Sequence, residues 1–159
     1  MVYRDVLPNG LRVITYPMPN VYSVTTGIWV ATGSRYEEKH LNGISHFLEH
    51  MLFKGTEKRS AKEIVEAMES VGGMMNAFTS KEHTCYYTKS LSENFSLSME
   101  LLADMYLHST FLKEEFDKEK NVILEEISMY EDSPEDVAHE LFDRIIWPEN
   151  SYGWPIIGN

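Results

Sequence analysis

The residues best able to support chemistry in this sequence are two histidines and a glutamate within one short segment, His46-Phe47-Leu48-Glu49-His50. On an α-helix, at about 100° per residue, His46 lies about 60° from Glu49 and about 40° from His50, so the three side chains share one face. Two imidazoles one turn apart can chelate a zinc ion, with the carboxylate beside a water that the ion binds. The segment therefore predicts a zinc site, with a pair of solvent-exposed histidines as the alternative.

A third ligand is indicated by the periodicity of a later segment. Apolar residues at helical spacing predict a helix from Lys113 to Glu131, with an apolar face formed by Phe116, Ile123, Ile127 and Tyr130. Glu119 and Glu126 lie two turns apart on the flank of that face, whereas Glu125 is expected to face water. A carboxylate beside a core face must be paired or bind metal, because burying it bare is costly. The alternative is that both glutamates reach solvent from the helix edge.

The composition limits the classes of function and partner. The chain has 159 residues, 43% of them apolar, which is enough for one globular core. Its formal net charge of −11, from 25 acidic and 14 basic residues, argues against nucleic acid as a partner and fits cationic peptides. No apolar run reaches membrane-spanning length and the N-terminus has no signal-peptide core, so we expect a cytoplasmic protein without a membrane partner.

The elements that must position these residues follow an irregular order of strands and helices, which predicts the α+β class. Predicted strands cover 11–16, 21–32 and 74–90, the last as one or two strands. Predicted helices cover 43–53, the segment after the capping box at 60–63, the segment from Ser92, 113–131, and the segment from Pro134 to Trp147-Pro148. The zinc motif and its third ligand would thus lie on separate helices.

Three segments together resemble the insulinase–pitrilysin family of zinc peptidases. The first is the motif from His46 to His50, whose order is reversed relative to the commoner zinc-peptidase helix. The second is Glu126 with its neighbours, and the third is the segment from Gly72 to Thr84, which is similar to that family's signature strand. The similarity is greatest to the branch that contains the mitochondrial processing peptidase β subunit and its bacterial relatives.

The resemblance implies a role for each residue of the metal cluster. His46, His50 and Glu126 match the family's zinc ligands, and Glu49 matches its catalytic base. Glu119 matches a carboxylate that hydrogen-bonds a ligand histidine and thereby supports catalysis. The implied cofactor is Zn²⁺.

The resemblance also implies where substrate binds. Asn76, Ala77 and Phe78 lie on the segment that matches the family's edge strand, along which extended peptides bind through main-chain hydrogen bonds. The remaining histidines considered, which match no ligand position, are His40, His83 and His139.

The implied fold is a mostly antiparallel sheet with helices packed on one face, the incomplete first half of the insulinase-type peptidase fold. Residues 1–159 would form an N-terminal zinc-binding peptidase domain. The implied partners are peptide substrates and a second homologous half or subunit that closes around them. Self-association through an unfinished sheet is a further expectation.

Three functions are compatible with these observations. The leading one is a zinc endopeptidase that cleaves extended or unfolded peptides, with Glu49 as general base. The alternatives are a non-catalytic subunit of the same fold and a zinc-stabilised peptide-binding module without turnover. Glu49 and a full set of ligands favour the first, because a scaffold has no need of them.

Overall fold

The architecture consists of five strands and five α-helices, taken from a computed structural model that describes residues Met1–Asn159. The strands are β1 (Tyr3–Val6), β2 (Arg12–Thr15), β3 (Ser23–Val30), β4 (Met74–Thr79) and β5 (Thr84–Leu91). The helices are α1 (Ile44–Leu52), α2 (Ala61–Glu69), α3 (Phe95–His108), α4 (Lys113–Glu131) and α5 (Pro134–Ile146). Each predicted helix is confirmed, and the predicted β-region at 74–90 is a pair of strands. The strand β1 is an addition to the predicted elements.

The main sheet is antiparallel, with β5 between β3 and β4. Ile28, Tyr86 and Ala77 lie in one cross-strand row, and Trp29, Cys85 and Phe78 form the next. Because side chains alternate along a strand, these two rows point to opposite faces of the sheet. Strand β4 pairs only with β5, so its other side is an open edge.

Helices cover one face of this sheet. Leu52 of α1, Tyr86 of β5 and Leu102 of α3 form a buried apolar cluster, against which Ile28 and Ala77 pack. The opposite face is open, and Trp29 there is 64% exposed. The predicted fold class, α+β with an antiparallel sheet and helices on one face, is confirmed.

The beginning of α1 is held by the last residues of the chain. Gly43 has φ +96°, and a Cβ on it would lie 2.8 Å from the Cα atom of Gly158. Only glycine permits this backbone conformation and this approach without strain. The Asn42 side-chain amide also donates to the Pro155 carbonyl at 2.9 Å. The helix that carries the zinc motif therefore has a fixed starting point.

Large apolar side chains are also exposed on the β1–β2 hairpin and on helix α5. The separate β1–β2 hairpin exposes Val6 (70%) and Ile14 (69%), and α5 exposes Phe142 (59%) and Ile145 (75%). An isolated two-stranded hairpin has little stability by itself. No helix of the chain combines the length and apolarity that crossing a bilayer requires.

Candidate metal centre

Helix α1 carries the predicted motif, and an acidic side chain fixes its N-terminal end. Glu37, from the loop before the helix, accepts hydrogen bonds from the backbone N–H groups of Gly43 (2.7 Å) and Ser45 (2.8 Å). These N–H groups have no partner within the helix, and a carboxylate at this end is also favoured by the helix dipole. Glu37 therefore caps the N-terminus of α1 in place of a side chain from the N-cap residue.

Helix α4 brings the two glutamates to the motif. The rings of Phe47 on α1 and Phe116 on α4 pack with their centroids 4.6 Å apart. Beside this contact Glu119 is only 3% exposed, whereas the neighbouring residue of Glu126, Glu125, is exposed as predicted. The flank of α4 that faces α1 is thus the flank that carries Glu119 and Glu126.

His46, His50 and Glu126 come together as a candidate metal-binding group. One ligand atom from each can be chosen so that all lie within 4.8 Å of one another. The Glu126 Oε2 atom lies 3.9 Å from His46 Nε2 and 3.6 Å from His50 Nε2. Tetrahedral zinc with bonds of about 2.0–2.1 Å sets its ligand atoms roughly 3.4 Å apart. The donor set and its spacing therefore fit a zinc ion after small side-chain adjustments.

The imidazole of His50 is oriented by a buried acid. Its Nδ1 atom lies 2.8 Å from Glu119 Oε1, and Lys54 Nζ lies 2.5 Å from the other oxygen of that carboxylate. Burial alone would raise the pKa of Glu119, but the hydrogen bonds from Lys54 and His50 outweigh it and hold the pKa below its usual value. An ionised Glu119 accepts a hydrogen bond from a protonated Nδ1, so the free electron pair of the ring is on Nε2.

The environment of His46 favours its neutral form. Burial, and after it the neighbouring His50, lower the pKa of His46, while Glu126 and Glu37 oppose the shift. Its Nδ1 atom is buried without a hydrogen-bond partner. The neutral imidazole is the form that binds a metal ion. The two histidines thus differ, because only His50 has a partner that fixes its ring.

Glu49 lies beside the three-residue cluster. Strand β4, which is predicted to bind substrate, contacts it. The Thr79 hydroxyl of β4 donates a hydrogen bond to Glu49 Oε2. Burial raises the pKa of Glu49, although the Thr79 hydrogen bond and the nearby His50 oppose the shift. A carboxylate with a raised pKa is a better proton acceptor once it is ionised.

A cavity of about 350 Å³ opens next to His46 and Glu49. Its far wall is the acidic face of α5, formed by Asp136, Glu140 and Asp143. Lys81 neutralises part of this wall, since its Nζ atom lies 3.5 Å from Asp143. These three acids were not among the predicted site residues, although their spacing follows the helical period and could have signalled one face.

The predicted substrate residues lie on the open edge of the sheet. Ala77 faces the helices, while Asn76 and Phe78 point to the open face, where the Phe78 ring contacts Trp29 with centroids 5.5 Å apart. The Ala77 N–H donates to the side-chain oxygen of its own neighbour Asn76 at 2.8 Å. This N–H lies on the unpaired side of β4, and an added strand would have to displace the Asn76 side chain to bond it.

The histidines without a predicted ligand position lie outside the three-residue cluster. His40 is on the surface, with a side chain that is 73% exposed. The ring of His83 contacts Trp29 on the open face of the sheet, at a centroid distance of 6.0 Å. His139 lines the cavity beside Glu49, a position that was not predicted.

Comparison with known proteins gives the family. The family model described as Insulinase (Peptidase family M16) matches residues 12–159. The chain belongs to the insulinase family. A relative described as the uncharacterized zinc protease YmxG, from Bacillus subtilis (strain 168), is 51% identical to this chain over 99% of its length. The predicted resemblance is therefore confirmed.

Solved structures agree with this assignment. The crystal structure of a protease from Helicobacter pylori superposes on the whole chain with a TM-score of 0.95 and 30% identity. An M16 peptidase domain from Pseudomonas fluorescens, described as inactive, has the same fold with a TM-score of 0.87 and 18% identity. The chain spans 39% of the Bacillus protein, 39% of the Helicobacter chain and 38% of the Pseudomonas chain.

Proposed function

We propose that this chain forms the zinc-binding and catalytic part of an insulinase-family metalloendopeptidase that hydrolyses extended or unfolded peptides. The proposal depends on one observation, the convergence of His46, His50 and Glu126 within 4.8 Å. Glu49, on the same helix, lines the cavity next to this cluster. The description of the related Bacillus protein as a zinc protease supports the same function.

Each residue of the centre has a task in peptide hydrolysis. A zinc ion, when bound by His46, His50 and Glu126, supplies Lewis-acid chemistry that acidifies water and polarises a carbonyl group. Glu49 takes the proton from the attacking water and delivers it to the leaving amine. Glu119 accepts from Nδ1 of His50 and so fixes the ring with Nε2 toward Glu126.

The peptide substrate would pair with β4 as an added strand. The open edge and the N–H of Ala77 provide the main-chain contacts, which makes binding largely independent of side chains. The acidic wall formed by Asp136 and Glu140 adds a preference for basic residues near the cleaved bond. Thr79 lies at the end of the same strand and contacts Glu49, so bound peptide and general base are held by one element.

A second homologous half or subunit would complete the enzyme. The chain spans about two-fifths of the proteins that it matches. The exposed apolar side chains of the β1–β2 hairpin and of α5, such as Ile14 and Ile145, provide surface for such a partner. The same surfaces and the open edge of β4 would support self-association of the chain when no such partner is present.

Metal analysis together with peptide cleavage tests the proposal. The wild-type chain should retain one zinc ion per molecule after dialysis, and His46→Ala should retain none. Glu49→Gln should retain zinc, because Glu49 is not a ligand. Cleavage of an unstructured basic peptide is then compared between wild type and Glu49→Gln in the protein that contains the complete catalytic unit.

The outcomes separate the alternatives. Zinc binding and cleavage that depend on Glu49 support the endopeptidase. Zinc and peptide binding without cleavage in the complete protein would favour the peptide-binding module or the non-catalytic subunit. Full zinc content in His46→Ala would show that the proposed centre is wrong.

A further inference from the structure

Lys54 contacts Glu119 but is not one of the candidate metal ligands. It lies four residues after His50, in the turn that follows α1, where its N–H donates to the Met51 carbonyl at 3.1 Å. Its ammonium group lies 2.5 Å from Glu119 Oε2, and the other oxygen of Glu119 lies 2.8 Å from His50 Nδ1. Both oxygens of one α4 carboxylate are therefore engaged by side chains from α1 and its following turn.

Glu119 needs such a partner because of its burial. Its side chain is only 4% exposed, and its ion pairs are with His50 and Lys54 alone. A buried carboxylate without a cation is strongly destabilising, and one hydrogen bond from a neutral imidazole does not compensate its charge. Lys54, with a side chain that is 29% exposed, is the residue that supplies the positive charge.

We propose that Lys54 is a positioning residue of the metal centre, which holds the Glu119 carboxylate against His50 and so sets the orientation of the His50 imidazole toward Glu126. The proposal rests on the proposed zinc site. The Lys54–Glu119–His50 chain also joins α1 to α4, the helices that carry the ligands on either side of the centre. Lys54 thereby acts on the metal through Glu119 and touches neither substrate nor metal.

The two histidines differ in how their rings are held, and this difference makes the metal centre depend on the Lys54–Glu119–His50 contacts. Nδ1 of His46 has no hydrogen-bond partner, so no hydrogen bond at that atom fixes the ring. His50 is the imidazole with a fixed orientation, and its Nε2 lies 3.6 Å from Glu126 Oε2. Loss of the Lys54 contact would free the Glu119 carboxylate to rotate, and the His50 ring would lose its guide.

The test compares zinc affinity in the chain and in variants of Lys54. Lys54→Met keeps the length of the side chain and removes its charge, and Lys54→Arg restores a cation. Arg59→Met is the matched control, because Arg59 pairs at 2.8 Å with another buried carboxylate, Asp104, which has no contact with the metal centre. The dissociation constant for zinc is measured by competition with a chromophoric chelator, and the visible absorption of the Co²⁺-loaded protein reports ligand geometry.

Lys54→Met should weaken zinc binding by about tenfold to a hundredfold, the usual effect of losing a contact behind a ligand. Its Co²⁺ spectrum should change, and Lys54→Arg should recover most of the affinity. Arg59→Met should lower the melting temperature of the metal-free protein and leave the zinc dissociation constant within about twofold of wild type. If Lys54→Met does not fold, Lys54→Gln, a neutral hydrogen-bond donor, should show the same direction of change.

Two results would overturn the role of Lys54 alone. One is a wild-type zinc affinity and Co²⁺ spectrum in both Lys54→Met and Lys54→Gln. The other is an equal loss of zinc affinity in Arg59→Met, which would assign the effect to general destabilisation. A wild-type chain without zinc affinity would overturn the proposed metal centre as well, so the two failures are distinct.

Discussion

Replacement of Glu126 by alanine tests the third ligand, the residue that joins α4 to the histidine pair of α1. Its Oε2 atom lies 3.6 and 3.9 Å from Nε2 of His50 and His46. The side chain is 30% exposed. Glu126→Ala should therefore leave the metal-free fold intact and act mainly on metal binding.

The expected loss of zinc affinity follows from the free energy that one ligand contributes to a complete zinc site. Zinc sites in small protein domains contribute about 10–16 kcal/mol through four ligands, so one ligand corresponds to roughly 2.5–4 kcal/mol. That free energy equals about a hundredfold to a thousandfold in the dissociation constant. The remaining pair of histidines would bind zinc too weakly to retain one ion per molecule through dialysis.

Glu125→Ala is a closely matched control, since it removes the same group from the adjacent position of the same helix. Glu125 is exposed and makes none of the ion pairs of the centre. Both variants lose one negative charge, so any long-range effect of net charge on zinc affinity is the same. Chelator competition gives the dissociation constants, and circular dichroism verifies the helices.

We expect a large loss of zinc affinity for Glu126→Ala and a change within about twofold for Glu125→Ala. An unchanged dissociation constant in Glu126→Ala would refute Glu126 as a ligand. Equal losses in the two variants would show that charge, rather than coordination, governs the affinity.

Three further predictions concern the base, His46 and the substrate strand. Glu49→Gln in the complete catalytic unit should keep zinc and lower the turnover number by about 10²- to 10⁴-fold, measured by peptide cleavage; a wild-type rate would place the base elsewhere. Because burial and His50 lower the pKa of His46, folding disfavours its charged form, so the metal-free chain should lose stability as the pH falls below about 6.5. Urea unfolding should show a smaller loss in His46→Gln, whereas His40→Gln should behave as wild type; identical profiles for all three would contradict the assignment. Ala77→Pro removes an edge N–H and should weaken binding of an extended peptide roughly fivefold to tenfold at unchanged zinc content, and undiminished binding would exclude strand addition there.

The placement of His46, Glu49 and His50 on one helix face could be predicted from the sequence. The spacing of His46, Glu49 and His50 requires only one turn of helix to put them on one face, and helical periodicity is a property of neighbouring residues. The same reasoning identified Glu119 and Glu126 as a pair on one flank of α4. The capping box at Ser60 likewise predicted α2, and the β-rich segments predicted β2 to β5, because these signals act within a few residues. Strand β1 was not predicted.

Which of these local elements meet depends on contacts between residues that are far apart in the chain. The contact between His50 and Glu119 spans 69 residues and that between Thr79 and Glu49 spans 30, and neither separation follows a local period. The ion pair of Lys54 with Glu119 and the position of β4 at the sheet edge have the same origin. Long-range pairing depends on how whole helices and strands bury their apolar faces against one another, and many arrangements are compatible with the same local pattern. The types of the candidate ligands are thus determined by short segments, whereas their distances and partners arise from the packing of α1 against α4.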